Sequence, residues 1–209
     1  QVGVYAQEAS LHLMNCLFDG VAVGVELLGA ENVIVDSCRF LGEMQMTSGV
    51  KVTGPSMGHT TIKNCYFKTH ENGITTRHSG PRVDSCLFEN NHVGVKGSVV
   101  LSNSLIRNGQ VGLSGTHPGD GGGKYQDVNA CVFENLSDTV VWSTGGNFVN
   151  CTFRNNSGIV FCTEGEYFSV TLDSCKITSN TQGIVISGHP INFTMSKCEY
   201  SSNRAPINL

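Results

Sequence analysis

The sequence predicts an all-β protein, a single-stranded right-handed parallel β-helix of about nine coils that forms one domain over residues 1–209. Three observations predict this fold. A short phrase centred on cysteine recurs along the chain, apolar residues accompany it at fixed positions, and a glycine followed by an aliphatic residue often comes eight positions later. The right-handed sense follows from the chirality of parallel crossover connections.

The repeated phrase has cysteine at its centre in all copies but one. Successive copies are 18 to 27 residues apart, which is too long for a heptad and too short for most helical pairs. Two residues later every copy has an aromatic or aliphatic side chain, and side chains two apart on a strand share a face. An internal ladder of cysteine and phenylalanine is therefore expected. Its central column is Cys16, Cys38, Cys65, Cys86, Ser104, Cys131, Cys151, Cys175 and Cys198.

A second strand of each coil is predicted where glycine precedes an aliphatic residue. Asparagine-rich stretches between the strands are predicted to be corners, because asparagine tolerates the left-handed backbone conformation. The glycine pairs are Gly24–Val25, Gly49–Val50, Gly73–Ile74, Gly94–Val95, Gly112–Leu113 and Gly183–Ile184. The corner asparagines are Asn90–Asn91, Asn108, Asn135, Asn155–Asn156 and Asn180.

The cysteines are predicted to form a buried, reduced ladder, since free cysteine packs as a small apolar residue. Ser104 in the same column indicates that size matters more than sulfur. Disulfides between neighbouring coils are conceivable at about 4.8 Å strand spacing, but they would be strained. Cys162, outside the column, is expected in or near the core. The chain has no CxxC pair, so neither a metal site nor a cofactor is predicted.

Composition restricts the partners and the compartment. A net charge of −4 argues against nucleic acid, and no 18-residue apolar run is present for membrane insertion. The repeat is already running near Gln1, without a signal peptide, so we expect a piece of a longer precursor. Nine cysteines favour a reducing compartment, cytosolic or nuclear. Two of the glycosylation sequons adjoin predicted core strands, where a glycan would be awkward; the sequons begin at Asn135, Asn150, Asn155 and Asn192.

Four insertions occur at one phase of the coil and are therefore expected at one edge of the molecule. This edge is either a binding surface or a place where loop growth is tolerated. The insertions are Thr53–Thr60, Arg77–Arg82, Ser114–Gln126 and Ser187–Pro190.

Three charged residues form the best candidate for a catalytic group. Asp36 and Asp84 are expected two coils apart, about 9.6 Å, with Lys63 between them. That distance is at the upper limit for an inverting glycosidase pair, and the intervening lysine favours a charge-compensated surface ladder. The other outward acids, Asp19, Glu89 and Glu134, do not occupy adjacent coils.

Histidine and arginine gather at the insertion edge, where they have the chemistry for acid–base catalysis together with Asp120. No spacing brings them together, and the GDGGGK stretch lacks the Walker spacing and the following helix. We therefore predict no catalytic, cofactor-binding or metal-binding residue. The edge residues are His59, Arg77, His78, Arg82, His117 and His189.

The cysteine phrases also carry a family resemblance. They are Asn15–Phe18, Asn64–Phe67, Ser85–Phe88 and Asn150–Phe153, with Gly73–Ile74 and Gly94–Val95 as the second-strand match. From about Leu13 to Tyr200 the chain resembles the adenovirus β-helix family. This family includes the early-region 1B large tumour antigen and a related atadenovirus protein on the outside of the virion.

The resemblance implies a non-enzymatic structural protein on the exterior of a virus particle. It implies a homotrimer that contacts major capsid proteins and is assembled in the host nucleus, with no catalytic activity. One alternative is a carbohydrate-active β-helix, such as a phage tailspike depolymerase or a pectate-lyase-like enzyme. A second is a regulatory interaction protein of the tumour-antigen type, which would bind host proteins.

Overall fold

The computed structural model describes residues 1–43, 47–54, 60–77, 80–115, 126–143, 145–163, 169–186 and 192–207. Each coil contributes three short strands to three parallel sheets, which we call A, B and C. Each sheet has nine strands within these ranges, and every pairing is between successive coils. The predicted parallel β-helix is confirmed.

The strands occur in the order A, B, C in every coil. Sheet A contains β1 (Val2–Gln7), β4 (Val23–Leu28), β7 (Ser48–Thr53), β10 (Asn72–Thr76), β13 (Val93–Lys96), β16 (Val111–Ser114), β19 (Val141–Trp142), β22 (Phe161–Thr163) and β25 (Ile184–Ile186). Sheet B contains β2 (Leu11–Met14), β5 (Val33–Asp36), β8 (Thr60–Lys63), β11 (Arg82–Asp84), β14 (Val99–Ser102), β17 (Gln126–Asn129), β20 (Gly146–Val149), β23 (Ser169–Asp173) and β26 (Asn192–Ser196). Sheet C contains β3 (Leu17–Asp19), β6 (Arg39–Leu41), β9 (Tyr66–Lys68), β12 (Leu87–Glu89), β15 (Leu105–Arg107), β18 (Val132–Glu134), β21 (Thr152–Arg154), β24 (Lys176–Thr178) and β27 (Glu199–Ser201).

The phenylalanine column forms the centre of the core. Neighbouring rings of Phe18, Phe40, Phe67 and Phe88 stack with centroids 4.8 to 4.9 Å apart and planes within 7° of parallel. This spacing is the distance between adjacent strands of a sheet, so in-register pairing enforces the stack. Phe40 and Phe67 are fully buried, as the predicted ladder requires.

The cysteine column lies beside this stack, and its predicted burial is confirmed. All nine cysteines are reduced; within the column Cys16 and Cys198, in the first and last coils, are half-buried and the other six are buried. Cys162, expected in or near the core, is half-buried and lies beside the core rather than in it. Its strand neighbour Phe161 fills the core, so alternation turns Cys162 to the outer face of sheet A beside the exposed Trp142.

A sharp turn joins sheet B to sheet C in every coil. The residue before each column cysteine has a left-handed backbone, with φ between +49° and +55°. Asn64 and Asn103 suit this conformation, whereas Ala130 and Lys197 adopt it against their intrinsic preference. This turn, which was not expected from the sequence, divides the cysteine phrase between two sheets.

The turn from sheet C to sheet A matches the predicted asparagine corners only in part. Asn90, Asn108, Asn135 and Asn155 have φ of +56° or +57°. The asparagines that follow the corner point inward instead and form a ladder between coils. Asn156 donates to Asn180 Oδ1 at 2.9 Å, and both side chains are buried.

The four predicted insertions each connect a strand of sheet A to a strand of sheet B, which agrees with a common edge. Residues 55–59, 78–79, 116–125 and 187–191 within them lie outside the described residues, so the binding role predicted for this edge stays a prediction.

Candidate functional site

The outer face of sheet B brings together the predicted Asp36, Lys63 and Asp84 in adjacent, in-register strands. Lys63 Nζ lies 3.3 Å from Asp36 Oδ2. Asn64 donates to Asp36 at 2.9 Å, and Ser37 donates to the same carboxylate. This arrangement is the charge-compensated ladder that the sequence suggested.

Asp84 holds a similar set of donors. Ser102 and Asn103 donate to its Oδ1 at 2.6 and 2.8 Å, and Ser85 donates to its Oδ2. These hydrogen bonds, led by Ser102, lower the pKa of Asp84; the bond from Asn64 does the same for the pKa of Asp36. Both carboxylates therefore remain ionised near neutrality and tie neighbouring coils together.

The outer face of sheet C carries a second charge ladder. Arg107 Nη2 lies 2.7 Å from Glu89, and Arg154 Nη2 lies 2.6 Å from Glu134. The hydroxyl of Tyr66 also donates to Glu89, and this bond is the main cause that lowers the pKa of Glu89. Each glutamate thus pairs with an arginine one coil later. These arginines, at the same phase of the coil as the glutamates, were not expected from the sequence.

Between these two ladders, a shallow groove runs along the turn from sheet B to sheet C. We call it the corner groove; it has a volume of about 580 Å³. Its floor is a column of half-buried apolar side chains from sheet C, and its wall is formed by the left-handed turn residues. The floor is Tyr66, Leu87, Leu105 and Val132, and the wall is Asn64, Ser85 and Asn103.

The floor extends toward the first coil through Arg39 and Leu17, in register with Tyr66. The Arg39 guanidinium lies over the Tyr66 ring, 5.7 Å from its centroid. Leu17 is 59% exposed and continues the row of outward apolar side chains of sheet C. The groove therefore presents a row of outward apolar side chains, with the Arg39 guanidinium stacked at one end.

The carboxylates that flank the groove are already engaged within the sheets. Their pKa values are lowered by hydrogen bonds from neighbouring side chains. In the described parts of the chain, no group of His, Cys, Asp and Glu is arranged to hold a metal ion. The groove was not predicted, because it depends on the turn that the sequence analysis missed.

Of the residues predicted to form the histidine–arginine edge, the structure describes two. Arg77 and Arg82 are exposed at the ends of strands. His59, His78, His117, His189 and Asp120 lie outside the described residues. Among the residues that are described, no helix has the length and apolar character to cross a membrane.

The glycosylation sequons are more accessible than expected. Asn135, Asn150, Asn155 and Asn192 all have exposed side chains, because they occupy turns or the outward end of a strand. At these exposed positions the asparagine side chains leave room for a glycan, although two of them adjoin core strands as expected.

Comparison with known proteins concerns the fold. A family model described as the right-handed β-helix region matches residues 2–199, which agrees with the predicted hand. No curated protein matches the sequence. The surface adhesin PfbA of Streptococcus pneumoniae has a similar structure, with a TM-score of 0.55 and 15% identity over 96% of this chain.

This chain spans 62% of that adhesin structure. A second structure of the adhesin gives a TM-score of 0.48 at 14% identity and covers 96% of this chain and 67% of the adhesin. The structure of endopolygalacturonase I from Stereum purpureum, complexed with two galacturonate, gives a TM-score of 0.28 at 12% identity. The match covers 92% of this chain and 70% of the endopolygalacturonase.

Proposed function

Because the chain belongs to the right-handed β-helix family, we propose that it is a non-enzymatic structural protein on the exterior of a virus particle. It forms a homotrimer there and contacts the major capsid proteins. The corner groove carries this proposal, since it places a row of outward apolar rungs on a scaffold whose neighbouring charges are already paired.

The viral setting is supported by the resemblance of the cysteine phrases to the adenovirus β-helix family. A surface position also suits a fold similar to that of a bacterial surface adhesin. The reduced thiols agree with synthesis in a reducing compartment, and assembly in the nucleus meets that condition.

A structural role is favoured over carbohydrate cleavage by the state of the outward acids. A glycosidase needs one carboxylic acid whose pKa is raised, so that it can protonate the leaving group. Asp36, Asp84 and Glu89 instead have lowered pKa values, each caused mainly by a side-chain hydrogen bond. These carboxylates are poor proton donors at neutral pH.

The groove also suits a trimer of parallel helices. All strands repeat at about 4.8 Å along the axis, so a second copy in the same orientation presents its coils at matching heights. Burying Leu87, Leu105 and Val132 against the neighbour removes apolar surface from water and stabilises the assembly by about 25 cal/mol for each Å². Such a side-by-side contact joins two different surfaces of neighbouring copies, and a three-fold axis closes it into a ring of three.

The molar mass in solution tests the proposal. We expect light scattering to give a trimer that persists on dilution. Leu105→Asp places a charge on the groove floor and should yield monomers. Trp142→Asp, on the outer face of sheet A where Trp142 is 43% exposed, is the matched control and should remain trimeric.

The outcomes separate the parts of the proposal. A monomeric wild-type chain would contradict the trimer. A trimer that is lost in Trp142→Asp but kept in Leu105→Asp would move the interface to sheet A. Antibody labelling of intact virions from cells that produce this chain tests its position; an unlabelled surface would contradict the exterior location.

A further inference from the structure

His70 is buried in the turn from sheet C to sheet A, between β9 and β10. The residue is only 1% exposed, and neither ring nitrogen has a hydrogen-bond partner. Buried polar atoms are nearly always paired, so an imidazole with two unpaired nitrogens is exceptional. The sequence analysis did not single out this histidine.

The same position holds asparagine in other coils, and there it is satisfied. Asn91 donates to the Phe67 carbonyl at 3.0 Å, and Asn156 donates to the Phe133 carbonyl at 3.2 Å. The oxygen of Asn91 accepts from the backbone N–H of His70. The backbone of His70 thus takes part in the hydrogen bonds between coils, but its side chain does not donate to the preceding coil as the asparagines do.

The coil beneath His70 makes room for the ring without providing a partner. A Cβ on Gly42 would lie 2.4 Å from His70 Nδ1, so only glycine leaves the space that the imidazole fills. The Phe40 carbonyl, which corresponds to the acceptor in the asparagine coils, approaches the ring closely enough to raise the pKa of His70 in part, but it falls short of full hydrogen-bonding geometry.

We propose that His70 is an acid-sensitive point of the solenoid, where protonation places an unpaired cation in the core and opens the turn between β9 and β10. The coils further along the chain keep their own ladder and stay closed. Opening at this turn would separate the first three coils from the rest.

The charged groups around the turn do not neutralise such a cation. On the same turn Glu71 lies 4.0 Å from His92 and forms an ion pair with it only when that imidazole is protonated, and in the next coil Glu89 pairs with Arg107. Lys68 is cationic, and Glu43, in the preceding coil, is exposed. Within the described residues, none of these groups forms an ion pair with His70.

The direction of the pH effect follows from the burial. Burial is the main cause that lowers the pKa of His70, and the Phe40 carbonyl opposes it only in part. In the opened turn the pKa returns to about 6.5. The closed turn is therefore fully stable above about pH 6.5, and its opening constant rises up to tenfold for each pH unit below that, until the pH reaches the lowered pKa.

The test compares the wild type with His70→Asn, which restores a donor for the Phe40 carbonyl. Unfolding in urea is measured between pH 7 and 5. We expect the wild type to lose stability relative to His70→Asn as the pH falls, with the difference growing up to tenfold per pH unit in the unfolding constant. His12→Asn, at an exposed site, is the matched control and should follow the wild type.

Hydrogen exchange locates the opening. The amides of His92 and Val93 donate to the carbonyls of His70 and Glu71 and should lose protection at pH 5.5, while the amide of Val160 keeps it. Equal pH dependence in the wild type and His70→Asn would overturn the proposal. If His70→Asn does not fold, an NMR titration of wild-type His70 decides; a pKa at or above 6.5 would equally overturn it.

Discussion

Gly73 lies directly against the ring of Phe88 in the same coil. A Cβ on Gly73 would be 2.7 Å from Cδ1 of the ring and 2.6 Å from the carbonyl oxygen of Gly94 in the next coil. Gly24 and Gly49 contact their own phenylalanines in the same way. The recurring glycine and the phenylalanine column are therefore one packing device, in which the missing side chain makes space for the ring.

Gly73→Ala should destabilise the protein by about 3 kcal/mol, because overpacking a core costs about 1–3 kcal/mol and a backbone oxygen cannot move aside cheaply. Urea unfolding measures the change. Thr75→Ala, on the outer face of the same strand, is the control; it removes only the hydrogen bond between the Thr75 and Ser48 hydroxyls and should change stability by no more than about 1 kcal/mol. A loss for Gly73→Ala no larger than that of the control would contradict the close contact.

The thiols of the cysteine column donate hydrogen bonds to backbone carbonyls as well as filling space in the apolar core. Cys86 Sγ donates to the carbonyl of Asp84 at 3.3 Å, across the turn that joins sheets B and C. Ser104 makes the same contact, with its hydroxyl 2.7 Å from the Ser102 carbonyl. The column therefore selects a small side chain that also donates a hydrogen bond; Ser104 agrees with the expectation that size matters more than sulfur, and the shared donor is an additional requirement.

Cys86→Ser should accordingly be more stable than Cys86→Ala, by about 1 kcal/mol, although alanine is the more apolar residue. The serine keeps a side-chain donor for the Asp84 carbonyl, whereas alanine leaves that carbonyl with only the backbone N–H of Asn64. Thermal or urea unfolding of both variants provides the measurement. Equal stability would show that the thiol acts only by filling space.

Much of the fold was predictable because the core repeats with a strict phase. Each column residue contacts its equivalent in the next coil. Aligning the repeated phrases is therefore enough to identify Phe40 and Phe67 as stacked core residues. The turn from sheet B to sheet C was missed because its left-handed residue is not always asparagine or glycine. Ser85, Ala130 and Lys197 occupy it too, and they give no local signal.

The site was less predictable for a related reason. The ladder of Asp36, Lys63 and Asp84 could be found by aligning one outward column. The corner groove needed the relative position of two columns on different sheets, Asn64 and Leu87 for example, and this is fixed only by the turn. The state of His70 depends on the position of the Phe40 carbonyl, which no pattern of side chains encodes.

The buried thiols should resist alkylation in the folded protein. Burial raises the pKa of Cys38 to about 11 and that of Cys131 to about 12. Since only the thiolate reacts, both should be alkylated at pH 8 on the order of 100-fold more slowly than in the unfolded chain. Mass spectrometry after a timed iodoacetamide pulse measures this, with the half-buried Cys16 as the internal control that should react faster than both. Rapid labelling of Cys131 would show that the coils open readily.

The carboxylate of Asp84 should stabilise the stack at neutral pH and lose this effect in acid. Its pKa is lowered in the folded state, mainly by the hydroxyl of Ser102, so the folded protein binds the carboxylate's proton less readily than the unfolded chain does. The contribution is therefore complete above the ordinary aspartate pKa of about 3.9 and disappears as the pH falls through the lowered value. Asp84→Asn should reduce stability at pH 7, and its difference from the wild type should shrink below about pH 4. Asp127→Asn, on the same face but exposed, is the control for a general effect of removing charge. A difference for Asp84→Asn that is constant from pH 7 to pH 3 would mean that the carboxylate's charge plays no part in holding the turn.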